Sequence, residues 1–222
     1  MSNKNNVQYV LFGVTFNHSF SILDYWGSIA DDILYKCKYF GSEFFDNIST
    51  QYTTERTLRD SKTNNYLKLT SNQLIFKYNI KSDFVKEWDC FCEKITEYLV
   101  PKILSKYNLR IRRIGIVFCN EIDDNAMKKF VSKYFKPEIN GVSEFRFSMK
   151  EENNSALYWK NTDNYINKIF NIGKVIDGNK NGIVYDYQLY FSPIQADIRD
   201  KCSTFLKQGK HKFDVDVTGE LE

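Results

Sequence analysis

Asp186 interrupts an apolar run, Gly182-Ile183-Val184-Tyr185-Asp186-Tyr187-Gln188-Leu189-Tyr190, that reads as a β-strand. A strand carboxylate can ligate a divalent metal, and metal-dependent phosphodiester cleavage needs two or three carboxylates with a lysine beside them. Further acids gather at Glu121/Asp123/Asp124, at Asp197/Asp200 and at Asp214/Asp216. Nothing in their spacing says that they converge. Asp186 is the best single catalytic candidate, and a strand-end or turn carboxylate is the plainer alternative.

Cations are densest at Lys102, Lys106, Arg110, Arg112 and Arg113. At the end of a helix and the start of a strand, Lys106, Arg110, Arg112 and Arg113 could line one surface near exposed tyrosines. That combination suits nucleic-acid phosphates and base stacking. Cations stabilising a helix C-terminus account for the same residues without any ligand.

Other chemistries lack a local signature. The 2 histidines, His18 and His211, have no metal-type partner at helical spacing, and no H-E-x-x-H occurs. The 5 cysteines stand in apolar contexts without a C-x-x-C, which suits free thiols in a reducing compartment. Cys90 and Cys92 are two apart on a helix and point in different directions. There is no nucleotide-binding glycine loop and no G-x-S-x-G or S-x-x-K nucleophile. The expectation is a protein without metal or cofactor that binds rather than turns over.

The totals leave the partner open. A net charge of +3 permits nucleic acid without pointing to it. Aromatics make up 16% of the chain, and rings anchor protein interfaces, so a protein partner or a homodimer is the first expectation. With 3 prolines and 10 glycines there is no linker-like stretch, and residues 1–222 are expected to form a single compact domain. The amino-terminal Met1-Ser2-Asn3-Lys4-Asn5-Asn6 is polar, and no run approaches the ~20 apolar residues of a membrane span. A soluble, cytoplasmic protein with no membrane partner is expected.

The elements that must position these residues centre on Arg110-Ile111-Arg112-Arg113-Ile114-Gly115-Ile116-Val117-Phe118-Cys119-Asn120-Glu121-Ile122. Apolar residues at odd and even positions predict a strand buried on both faces. Before it, Val7 to Phe16 reads as a strand, Ile22 to Cys37 as a helix, and Glu43 to Thr57 as containing a strand from about Ser49. Tyr66 to Leu69 and Leu74 to Tyr78 read as a hairpin around a polar turn. Ser82 is the expected N-cap of a helix whose stripe runs Phe84, Trp88, Phe91, Ile95, Leu99, Ile103, Tyr107, with Pro101 expected to kink or divide it.

After the central strand, Asp123 to Phe135 predicts a helix. Val142 to Met149, Leu157 to Trp159, Tyr165 to Ile172 and Gly182 to Phe191 predict strands, and Asp177 to Gly182 a loop. Ile194 to Leu206 predicts a last helix, and Lys210 to Val217 is ambiguous. The fold class is α+β: antiparallel strands with helices on one side, in two pseudo-repeated β-α-β-β-β-α halves, 7–108 and 109–217.

Arg113, Gly115, Phe118, Asn120 and Ile122 fit an R-I-G-L-R-Y-x-N-x-I strand after a long helix. On these residues the chain resembles a sporadically distributed family of uncharacterised prokaryotic proteins. The Gly182 to Tyr190 strand with its central Asp186 is similar to another element of that family. Val117 and Glu121 depart from the pattern by replacing basic positions. The resemblance implies structural roles for the matching residues and, by association, a place in a defence or conflict locus. Gly115 should admit a close helix or backbone, Asn120 should end the strand by bonding nearby backbone, and Arg113 should pair or reach solvent. A metal-dependent nuclease centred on Asp186 and a weakly basic nucleic-acid-binding module are the alternatives.

Overall fold

The computed structural model describes residues 6–36, 40, 47–49, 54–135, 144–152, 165–176, 180–194 and 198–221. Among the described residues, nine strands form one sheet in which every pairing is antiparallel. They are β1 (Val7–Phe16), β2 (Asn47–Ser49), β3 (Glu55–Arg59), β4 (Tyr66–Thr70), β5 (Gln73–Asn79), β6 (Ile111–Glu121), β7 (Glu144–Glu152), β8 (Tyr165–Ile176) and β9 (Lys180–Ile194). Their order across the sheet is β2-β3-β4-β5-β1-β6-β9-β8-β7. Strands β1 and β6 are therefore paired toward the centre, with β2 to β5 on one side and β7 to β9 on the other.

The helices are α1 (Ser21–Asp24), α2 (Trp26–Asp31), α3 (Phe84–Glu93), α4 (Asp124–Tyr134), α5 (Ile198–Phe213) and α6 (Gly219–Leu221). Wider π-type winding prolongs α2 over Asp32–Lys36, α3 over Lys94–Ser105 and α5 over Asp214–Thr218. Pro101 lies within the second of these, so the chain stays helical through it instead of dividing. Asp83, not Ser82, caps α3: its carboxylate accepts from the Val85 and Lys86 amides at 2.8 and 3.2 Å, while the Ser82 hydroxyl donates to Glu87.

Several expected boundaries shift. Two short strands, β2 and β3, take the place of one long strand starting near Ser49. Strand β9 begins at Lys180, inside the expected loop, and its length carries it through Ile194, where a helix was expected to start. The ambiguous Lys210 to Val217 is helical. The expected strand at Leu157 to Trp159 and the ends at Cys37 and Val142 fall outside the described residues.

Period-two alternation assigns one face of the sheet to the core. Val10, Phe12 and Val14 on β1 face Phe118, Ile116 and Ile114 on β6, and all are buried. Helices α3 and α5 cover them: Phe118 stacks on Trp88 at 5.5 Å and on Phe213 at 4.5 Å, with Phe84 edge-on at 6.3 Å. Farther out, α4 lays Phe130 and Tyr134 against Phe170 and Phe147. Burying such a ring contributes about 1.5–3 kcal/mol, so Phe118 is an anchor of the core that joins both halves. Among the described residues, no helix is long and apolar enough to cross a membrane.

Candidate binding site on the outer face

The other face of the sheet carries the odd-numbered side chains from Tyr9 to Thr15 of β1 and from Arg113 to Glu121 of β6, beyond the register shifts at Val7 and Ile111. Gly13 and Gly115 stand directly opposite each other in the central pair. One row of neighbours continues across the sheet from them: Lys68, Ile75, Gly13, Gly115, Gln188, Asn167, Lys150. Where the row lacks side chains, a hollow of about 140 Å³ opens. Leu11, Ile75 and Val117 give it apolar walls, and Arg113, Asp186 and Gln188 give it polar ones.

Neither glycine is required by the fold. Neither has a positive φ, a Cβ at Gly13 would meet nothing within 4 Å, and one at Gly115 would make ordinary contact, nearest Gln188 Cγ at 3.7 Å. The expectation that Gly115 admits a close helix or backbone is therefore corrected. That task falls to Gly209 on α5, where a Cβ would stand 2.7 Å from Ile116 Cγ2, and to Gly182, where one would stand 2.7 Å from Ile176 Cδ1. Glycine inside a strand weakens it, and without a packing reason it marks a place where something else approaches.

The polar wall is a hydrogen-bonded chain. Arg113 Nη1 donates to the Tyr190 hydroxyl at 3.3 Å, which donates to Gln188 Oε1 at 2.8 Å, and Gln188 Nε2 donates to Asp186 Oδ2 at 2.5 Å. Residues 186, 188 and 190 share the face because strand side chains repeat every second position. The Arg113 guanidinium also lies over the Tyr190 ring, which stacks on Tyr165 at 4.6 Å, and Lys150 caps that ring at 4.4 Å. Asp186 Oδ2 is taken by Gln188, while Oδ1 lies toward Gly115. Burial pushes the Asp186 carboxyl above its ordinary range; the Gln188 hydrogen bond and the charges of Arg113 and Arg146 pull it back without cancelling that rise. Thr15 lies beside Arg113 on this face, buried, its hydroxyl without a hydrogen-bond partner among the described residues.

Of the basic run, only Arg113 joins this site. Lys106, Arg110 and Arg112 are exposed near the entry to β6, Lys106 standing 3.9 Å from Asp32 and over the Tyr107 ring. Among the described residues, which exclude Asp197, the acids do not converge on Asp186. Glu121 pairs with Lys180 at 3.0 Å, Asp123 caps α4, Asp124 accepts from Asn181, and Asp214 pairs with Lys210 at 2.7 Å. Among the described residues no three His, Cys, Asp or Glu gather as a metal site.

Asn120 does not end its strand through a turn. It lies within β6, fully buried, and neither amide atom has a hydrogen-bond partner among the described residues. Ile122 closes the strand through its amide, which bonds Asn181 O at 3.1 Å. A second polar group sits on the core face: Lys168 is 4% exposed and pairs with Glu151 at 2.6 Å and Asp216 at 2.9 Å. Asp216 also accepts from the buried Tyr185 hydroxyl at 2.8 Å. The signal was present in the sequence, since Lys168 alternates with Ile166, Phe170 and Ile172 at core positions.

Compared with known proteins, the chain matches no family model and none of the curated proteins.

Proposed function

We propose that this protein works by binding and that the hollow between Gly13 and Gly115 is its recognition site. The observation that carries the reading is the glycine pair itself, which opens the centre of the outer face at two positions where neither backbone conformation nor packing asks for glycine. The Arg113–Tyr190–Gln188–Asp186 chain supports it by holding a carboxylate oxygen in fixed orientation beside the gap. A preformed, mostly apolar concavity with a few convergent polar groups is what small-ligand recognition uses.

The ring-anchored protein interface expected from composition has less support. Phe118, Phe170, Tyr185 and Phe213 are buried in the core, and the exposed rings Phe20, Tyr25 and Tyr35 lie at or in α1 and α2. The resemblance to the sporadic prokaryotic family, the cytoplasmic setting and the duplicated halves are kept as proposals. The first rests on Arg113, Gly115, Phe118, Asn120 and Ile122; the last is supported by the strand order on either side of β1 and β6.

A thermal-shift panel tests the reading. Nucleoside monophosphates, N-acetyl arginine amide, lysine amide and small carboxylic acids are applied to the wild type and to Gly115→Leu, which fills the hollow. One class should raise the wild-type melting temperature and leave the filled variant unmoved. If no class separates the two proteins, the hollow is not a recognition site.

A further inference from the structure

The hollow offers more than space: its volume, hydrogen-bonding pattern and local charge each restrict the guest. At about 140 Å³ it is close to the ~150 Å³ apolar cavity that accepts one benzene ring, so a single ring fits within it and a fused pair extends out of it into solvent. Its apolar lining is aliphatic: Leu11 and Val117 are cross-strand partners that form one wall beside the gap, and Ile75 flanks Gly13 at the end of the glycine row, a surface a ring can lie against.

The polar wall shows an acceptor next to a donor. Gln188 Nε2 gives one proton to Asp186 Oδ2 and retains a second, and Asp186 Oδ1 lies toward the glycine floor. A pyrimidine base presents the complementary pair on its Watson–Crick edge: N4–H and N3 in cytosine, N3–H and O4 in uracil.

Charge excludes the competing guest. A lysine or arginine side chain from a partner would also satisfy Asp186, but Arg113 and Arg146 both act on that carboxylate, with Lys150 on the same face. These three cations, offset by one carboxylate, repel a fourth. It accepts a neutral hydrogen-bonding edge that carries an anion with it, and a guanidinium is well shaped for phosphate.

Building on the binding reading above, we propose that the hollow takes a pyrimidine nucleotide, its base over the glycine pair and against Leu11, Ile75 and Val117, its edge on Asp186 and Gln188, and its phosphate toward Arg113. A free nucleotide and one within a single strand present the same chemistry.

Fluorescence anisotropy and calorimetry with CMP, UMP, AMP, GMP and the 12-residue single strands rC12, rU12 and rA12 test this. Pyrimidine ligands should bind at least tenfold tighter than purine ligands. Gly115→Leu, with Gly13→Val as a second filling variant, should abolish binding while the protein stays folded by circular dichroism. Arg113→Ala should weaken CMP at least tenfold and leave the nucleoside cytidine unchanged. Equal affinity per site for CMP and rC12 identifies the free nucleotide as the source, and a tighter, salt-sensitive rC12 identifies a strand; both support the assignment. No binding to any of these ligands, purines equal to pyrimidines, or binding indifferent to both filling variants would overturn it. If nucleotides fail while an arginine or lysine amide stabilises only the unfilled protein, this assignment falls and the hollow remains a recognition site.

Discussion

Gly13 and Gly115 face each other across the central strand pair, 102 residues apart in the chain and joined by register alone. Each neighbours an apolar cross-strand partner or a polar wall rather than a helix. This relationship makes the outer face concave at its midpoint, and it separates what the sheet needs for stability from what it needs for a guest.

Filling the gap should stabilise the protein. Gly13→Ala and Gly115→Ala add a Cβ without a clash, and each removes glycine's excess unfolded-state entropy. Each should gain about 0.4–1 kcal/mol, which raises the melting temperature by roughly 1–4 °C for a chain of this size. Differential scanning calorimetry reads this directly. A loss of stability at Gly115 would restore the close-approach role expected from the sequence.

Asp186 should cost stability at neutral pH. Its folded carboxyl lies above the ordinary range, so its favourable contribution is full below the unfolded value of ~3.9 and is lost as pH rises through the folded value. Asp186→Asn should therefore be more stable than wild type at pH 7, with the gap closing below about pH 4. Urea unfolding of both proteins across that window checks the sign; a variant less stable at pH 7 would contradict it.

Much of the architecture was legible because it follows from local pattern. Strands β1, β4, β5 and β6 and the stripe of α3 came from alternation and 3.6-residue spacing, and the α+β class came with them. The site was half legible. Asp186 stood out as a charge in an apolar strand, and Arg113 as the last cation before one. Their meeting depends on the β6–β9 register, which pairs Arg113 with Tyr190 and leaves Gln188 beside Gly115. Register is a tertiary property, set by which face is buried, and linear spacing does not show it. The signal that could have found the rest is Gly13, a lone glycine inside Val7 to Phe16, and the Asp186-x-Gln188-x-Tyr190 alternation.

Asn120 should be replaceable. Its amide is fully buried without a hydrogen bond among the described residues, a state that costs about 1–3 kcal/mol. Asn120→Leu, which keeps the heavy-atom count and branching while removing the polar atoms, should raise stability by about 1 kcal/mol in urea unfolding. A marked loss would show that the amide has a partner in the folded protein.

Lys168 should be indispensable to the core. Burial lowers its pKa, but the hydrogen bonds to Glu151 and Asp216 outweigh that and hold it above the ordinary lysine value. Its stabilisation is thus full below the unfolded value of ~10.4 and lost as pH rises through the folded one. Lys168→Met leaves Asp216, 17% exposed, with the Tyr185 hydroxyl as its hydrogen-bond partner among the described residues and should cost about 3–5 kcal/mol. A neutral outcome in thermal unfolding at pH 7 would show that the pair is not held in the folded state.

The most direct measurement of the account is an amide chemical-shift map of the ¹⁵N-labelled protein titrated with CMP and, separately, with N-acetyl arginine amide. The account predicts that CMP moves the Gly13 and Gly115 amides and the Gln188 side-chain amide, leaves α3 and α5 in place, and moves none of them in Gly115→Leu. Shifts confined to the helical face, or a silent sheet with both ligands, would contradict it.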